Sequence, residues 1–244
     1  VFPGRFFSMA RGEQPTNTID PWQLERLTWH VLEALAEHPE IAVPRPIGAD
    51  GPTANTDDWS LARRIADLFD RYGTQRPQLL QAWAAGIDSH GTVLEGGAPV
   101  LLDPAERWQP ELFRAVRARI GTPSPAERLP GLLADIASGA VTPALPQRVA
   151  VFGLASLSNS LWRVLQALAA TRDVHVFAHT PSSTAWSADG ASLAGALQSR
   201  NLPLAVSAPV AHSLLGSWGR PALETRALVR GTPGLVEVGH PSAV

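Results

Sequence analysis

Apolar residues recur along this chain at two spacings. From Trp22 to Ile136 they return every three or four positions, the mark of amphipathic helices. Trp22, Leu24, Leu27, Val31, Leu32 and Leu35 form one stripe, opened by Asp20-Pro21 as N-cap and first helical residue and running to about His38. Trp59, Leu61, Ile65, Leu68, Phe69 and Tyr72 form a second, restarted at Asp57-Asp58 and expected to stop at Gly73. A short helix is predicted over 77–85, with Leu79, Leu80 and Trp83 inward and Gly86 closing it. Two more follow Trp108-Gln109-Pro110 and Ser124-Pro125. The Pro- and Gly-punctuated stretches 39–52 and 87–107 read as loops, and Val1–Ala10 as the end of a strand or a loop entering a helix.

Near Pro143 the pattern changes. Arg148–Phe152 is a short apolar run closed by Gly153. Leu161, Val164, Leu165 and Leu168 then fall at helical spacing within Ser158–Ala170, and Val174–Ala178 is a second run of buried type. Strand, helix, strand is the sequence form of a βαβ unit in a parallel sheet. Beyond Pro181 the signals weaken to a helix over 191–200, a short strand at Leu204–Val206, a broken helix pair over 212–229 and an edge strand at Leu235–Val238. The predicted fold class is α/β: a mostly helical subdomain over 21–142 attached to a parallel-sheet segment over 143–244.

Composition narrows the function classes. With 244 residues, 45% hydrophobic and 17% charged, the chain can bury one large core or two ordinary ones. No apolar run approaches the roughly 20 residues that span a bilayer. The absence of cysteine excludes disulfides, thiolate metal sites and cysteine nucleophiles, and fits a reducing cytoplasm. A net charge of −2 supplies no bulk field for nucleic acid. All 20 basic residues are arginine, which suits bidentate grip on phosphate or carboxylate and equally suits a GC-rich genome.

The chemistry expected of an enzyme is hard to find. Phosphate chemistry on a βαβ sheet would use a P-loop lysine, and there is no lysine; the first strand run ends in the uncharged Gly153-Leu154-Ala155. There is no Gly-x-Ser-x-Gly elbow and no His-Glu-x-x-His, and His175 and His179 lie on a strand-and-loop segment, where four-residue spacing does not converge on a metal. No catalytic or metal-binding residue is nominated. An active α/β nucleotide-dependent enzyme stays as an alternative, but it would need carboxylates or histidines at strand ends. Asp67 and Asp70 share one helix face, and Arg71 and Arg76 flank Gly73 near that helix's end, where they could meet phosphate or complement the helix dipole. Eight tryptophans against one tyrosine could stack on unpaired bases, but Trp22, Trp29, Trp59, Trp83 and Trp162 lie in amphipathic helices and read mostly as core or interface.

Eight segments, in order, carry a resemblance. They are Phe2–Phe6, Glu25–Trp29, Ile65–Tyr72 with Arg76-Pro77, Trp83–Gly86, Trp108–Leu112, Leu145–Val149, Asp173–Phe177 and Leu214–Gly219. Together they resemble an internal N-terminal portion of the RecC family, the gamma subunit of bacterial exodeoxyribonuclease V (RecBCD). The resemblance implies a superfamily 1 helicase-like, P-loop-like fold that has lost its ATPase motifs, with residues 1–20 ending a first helicase-like segment. It implies a non-catalytic role in double-strand break repair and recombination, beside RecB-like and RecD-like partners that use ATP and Mg²⁺, on single- and double-stranded DNA and away from membranes. No cofactor is expected in this chain itself. It further implies a tunnel for the unwound strand, with possible Chi recognition, lined by Asp67, Leu68, Asp70, Arg76 and Phe2. Ser8 departs from the better-known members, which place a tryptophan there. The alternative is an assembly scaffold without base readout.

Overall fold

The computed structural model describes residues 3–12, 20–45, 47–48, 51–52, 57–93, 97–152, 157–178 and a few positions between 225 and 238. These divide into two compact units, one comprising 1–147 with 159–173, the other 148–158 with 174–244.

The first unit is mainly helical. Helix α1 (Pro3–Ala10) replaces the expected strand end or loop. Its Met9 carbonyl accepts from the Ala144 amide at 2.8 Å, and Phe6 and Ala10 are buried. Helix α2 (Leu24–Glu37) starts later than Asp20-Pro21 suggests. Asp20 caps a turn instead, its Oδ1 accepting from the Trp22 amide at 3.0 Å. Leu27, Thr28, Val31 and Ala34 face the core, and the Thr28 hydroxyl donates back to the Leu24 carbonyl at 2.6 Å. A two-residue antiparallel ladder, β1 (Ile47–Gly48) and β2 (Gly51–Pro52), interrupts the following loop.

Helix α3 (Asp58–Gln75) has Asp57 as its N-cap, whose side chain accepts from the Trp59 amide. It runs through Gly73 rather than ending there. The stop comes at Arg76, held at φ −136°, ψ 55°, because the residue before Pro77 is pushed out of the helical region. The Gly73 carbonyl accepts from the Ser160 hydroxyl at 3.0 Å. Helix α4 (Pro77–Ala84) follows at once and buries Leu79, Leu80 and Trp83.

The stretch 87–107, expected to be loop, contains an antiparallel hairpin of β3 (Ser89–Val93) and β4 (Pro99–Leu101), with a register irregularity, and a short 3₁₀ turn at Pro104–Glu106. Its hydrophobic alternation is too sparse to announce strands. What holds it is tertiary: the Trp83 indole donates to the Ser89 carbonyl at 2.9 Å, and the Arg114 guanidinium bonds Asp88 at 2.7 Å. Gly91, at φ 73°, lies so close to α4 that a Cβ would sit 2.5 Å from the Leu79 nitrogen.

Helix α5 (Trp108–Ile120) ends at Gly121, which is left-handed, and α6 (Pro125–Ser138) opens with a full capping box between Ser124 and Glu127. Pro130 lies inside α6 and offers no amide to the Ala126 carbonyl. Gln81 supplies the missing donor at 2.7 Å. Leu27, Val31, Ile65, Phe69, Trp83, Leu112, Phe113 and Val116 form the core of this unit, and the rings of Phe69, Trp83 and Phe113 meet edge to face at 5.6–6.4 Å. Helix α7 (Asn159–Ala169), between the two predicted strands, also belongs to this unit and packs on α6 and α3.

The second unit holds strands β5 (Arg148–Val151) and most of β6 (Asp173–Val176), which form a two-stranded sheet among the described residues. The Asp173 amide donates to Gln147 and the Phe177 amide to Val151 across equal intervals of sequence, the pattern of a parallel pair. Both runs read as buried, yet only Val149 is; Phe152 is 74% and Phe177 58% exposed. A two-stranded sheet leaves both edges and much of both faces uncovered. The Leu157 amide donates to the Thr225 hydroxyl at 2.9 Å. Most elements predicted beyond Pro181 lie outside the described residues.

Candidate nucleic-acid interface

Helix α3 carries the predicted site. Its 18 residues put Leu61, Ala62, Ile65, Ala66 and Phe69 into the core, leaving an opposite face of Arg63, Arg64, Asp67, Asp70 and Arg71. A helix anchored on one side by five buried residues presents the other side rigidly.

Asp67 and Asp70 stand together on that outer face. Asp67 pairs with Arg71 one turn on. Asp70 has no ion pair among the described residues. Although its side chain reaches solvent, crowding by surrounding protein atoms pushes its carboxyl above the usual carboxylate range, and the charges of Asp67 and of Glu25 on α2 push the same way. The site therefore holds one carboxylate that is matched and one that repels its neighbours and lacks a donor.

Leu68 is half-buried and lies about 160° around the axis from Asp70, at an ideal 100° per residue, so the two flank the outer face from opposite sides. Arg76 stands beyond the helix end and is already engaged. Its Nη2 donates to the His90 carbonyl at 3.1 Å, and its guanidinium carbon sits 5.8 Å from the centre of the Tyr72 ring. Burial lowers the guanidinium pKa, with Tyr72 and Glu106 opposing, so the group stays charged. Tyr72 donates to Gln109 at 3.0 Å and meets Trp83 edge to face, which fixes the ring that Arg76 covers. The structure thus brings Asp67 and Asp70 together, sets Leu68 aside and gives Arg76 internal bonds. Phe2 lies outside the described residues.

Of the five tryptophans read mostly as core or interface, three are core and two are not. Trp22, Trp83 and Trp162 are buried, but Trp29 is 57% and Trp59 36% exposed. Their rings lie 4.7 Å apart on the outer surface of α2 and α3. The signal was present in the helical wheel: Trp29 falls about 180° from the centre of the Leu27, Thr28, Val31 and Ala34 face. Arg63 and Arg64 could have been found the same way. Among the described residues no group of three His, Asp or Glu side chains could hold a metal, and no helix is long and apolar enough to cross a membrane.

Residues 2–237 match the protein family described as RecC, N-terminal domain. The chain is 32% identical over 185 residues to the RecBCD enzyme subunit RecC of Mycobacterium tuberculosis, covering 71% of this chain and 16% of that protein. It is 29% identical over 224 residues to the same subunit of Mycolicibacterium smegmatis, covering 86% of this chain and 18% of the relative. The Escherichia coli subunit is 28% identical over 191 residues, covering 66% and 16%. The chain thus spans less than a fifth of the length of these relatives.

Proposed function

Because the chain belongs to the RecC N-terminal domain family, we propose that it forms part of a non-catalytic subunit of a RecBCD-type complex in bacterial DNA repair and recombination. In this reading its partners are RecB-like and RecD-like subunits in the cytoplasm, which use ATP and Mg²⁺, and its substrate is DNA. Residues 21–142 act as a helical subdomain, and 143–244, with 1–20, belong to helicase-like segments without ATPase chemistry. The outer face of α3 lies along the unwound strand, with Phe2 as a further tunnel residue and Leu68 as its apolar flank.

The observation that carries this reading is Asp70, a carboxylate without an ion-pair partner beside Asp67 on a rigid exposed face. A carboxylate crowded by like charge gains most from an amino donor, and the exocyclic amino groups of cytosine and guanine are such donors. Arg76, with one donor spent on His90, keeps others for phosphate or guanine. Those internal bonds of Arg76 equally favour the second reading, an assembly scaffold without base readout. The full-length subunit carrying Asp70→Ala, reconstituted with its partners on a linear duplex, separates the two. Continued unwinding with a lost or shifted sequence-dependent change in degradation supports readout. An unaltered response in both Asp67→Ala and Asp70→Ala refutes it and leaves the scaffold.

A further inference from the structure

The exposed Trp29–Trp59 pair lies on the same surface as the α3 acidic face. Trp59, Arg63, Asp67 and Asp70 follow one another at intervals of four, four and three residues, so they form one row along α3, with about 6 Å of axial rise per four-residue step. Trp29 joins the row from α2, its ring 4.7 Å from that of Trp59 and inclined by 57°. A pair of indoles left this open stands apart from the other aromatic pairs of the helical unit, which involve at least one buried or half-buried ring.

Charge indicates what covers it. Arg63 and Arg64 have no ion pair or hydrogen bond among the described residues. Of the acids near the pair, Asp58 is matched to Arg45 at 3.0 Å and Glu33 to Arg119 at 2.7 Å, Asp57 caps α3 by accepting from the Trp59 amide, and Glu25 lies toward Asp70. Open aromatic faces beside the uncompensated guanidinium group of Arg63, one turn on from Trp59, fit a ligand with flat π-faces and a polyanionic backbone. A protein segment would meet the indoles but leave Arg63 unmatched unless it were acidic.

We propose that Trp29 and Trp59 form a stacking platform for an unpaired base, with Arg63 taking an adjacent phosphate, so that a single DNA strand runs along α3 from the indole pair toward Asp70. The proposal rests on the reading of α3 as strand-facing and adds to it a sequence-independent grip one to three turns before the acidic pair. Stacking tolerates any base, so this part of the row holds the strand while the carboxylates discriminate.

The test uses the full-length subunit in its complex and single-stranded oligonucleotides carrying 5-iododeoxyuridine. Irradiation is expected to attach the strand to peptides containing Trp29 or Trp59. Trp29→Ala and Trp59→Ala are expected to weaken single-strand binding roughly fivefold to 150-fold, the range for loss of one stacked base. Phe at either position should restore most of the affinity and guards against a folding defect. Arg63→Gln should reduce the slope of log affinity against log salt by about 0.7, one single-strand phosphate contact. Absence of adducts together with unchanged affinity overturns the proposal, as does a wild-type complex that binds no single strand. Protection of residues 24–33 and 58–64 from hydrogen exchange by partner subunits before DNA is added also overturns it, in favour of a protein interface. Adducts at Trp59 with an unaltered sequence response in both Asp67→Ala and Asp70→Ala would uphold the platform and refute the readout; the converse would do the reverse.

Discussion

Replacing Arg76 by alanine should loosen the corner between α3, α4 and the β3–β4 hairpin. The side chain makes a charge-assisted bond to the His90 carbonyl at 3.1 Å, of a kind that contributes about 1.5–3 kcal/mol when well shielded. It also covers the Tyr72 ring at 5.8 Å, a contact that contributes about 0.5–1 kcal/mol at a partly open site. Arg76 is only half-buried, so the lower ends apply, and the expected loss is about 2 kcal/mol, or roughly thirtyfold in a local opening equilibrium. Hydrogen exchange followed by mass spectrometry on the full-length subunit reads this directly, as faster exchange in 89–93 and in the first turn of α4. Arg76→Lys keeps the charge but not the planar fork, and should recover only part of the protection. Exchange in Arg76→Ala equal to wild type would refute the argument and leave the guanidinium available to DNA alone.

Other consequences follow from the same geometry. Gly91→Ala combines a left-handed backbone with a Cβ 2.5 Å from the Leu79 nitrogen, so it should cost about 3 kcal/mol or more and release the hairpin from α4; retained protection of 89–93 would contradict this. Burial and the charges of Asp67 and Glu25 raise the Asp70 carboxyl above its ordinary range on folding, so the folded state holds that proton more tightly than the unfolded state. The stabilisation from that proton is fully present below the unfolded pKa and is lost as pH rises through the folded one. Asp70→Asn should therefore be more stable than wild type at neutral pH, with the difference vanishing toward pH 3, as thermal unfolding at several pH values would show. A gap that does not change with pH would count against the crowding of Asp70 by surrounding protein atoms and like charges.

Much of this architecture was legible from spacing. The helices around Leu27, Phe69, Trp83, Phe113 and Ile136, the helix start at Ser124-Pro125 and the strand–helix–strand order around α7 follow from periodicity and cap chemistry. The misses have physical causes. Gly73 did not end α3 because the stop belongs to the Arg76-Pro77 dipeptide, and the hairpin at 89–101 is held by Trp83 and Arg114 rather than by its own sequence. Phe152 and Phe177 read as buried because strand runs are judged as though a full sheet surrounded them. At the site, Asp67 and Asp70 could be placed on one face from their numbering alone. The internal bonds of Arg76 to His90 and Tyr72 could not, because they depend on how the chain turns at Pro77.

If the outer face of α3 touches the unwound strand, carboxyl footprinting will detect the contact. The full-length complex would be labelled with a carbodiimide and an amine, with and without a threaded single strand, and Asp67, Asp70 and the exposed Glu40 compared by mass spectrometry. Labelling of Asp70 should fall severalfold when the strand is present while that of Glu40 stays constant. Equal labelling of Asp67 and Asp70 in both states would contradict it and place the DNA elsewhere.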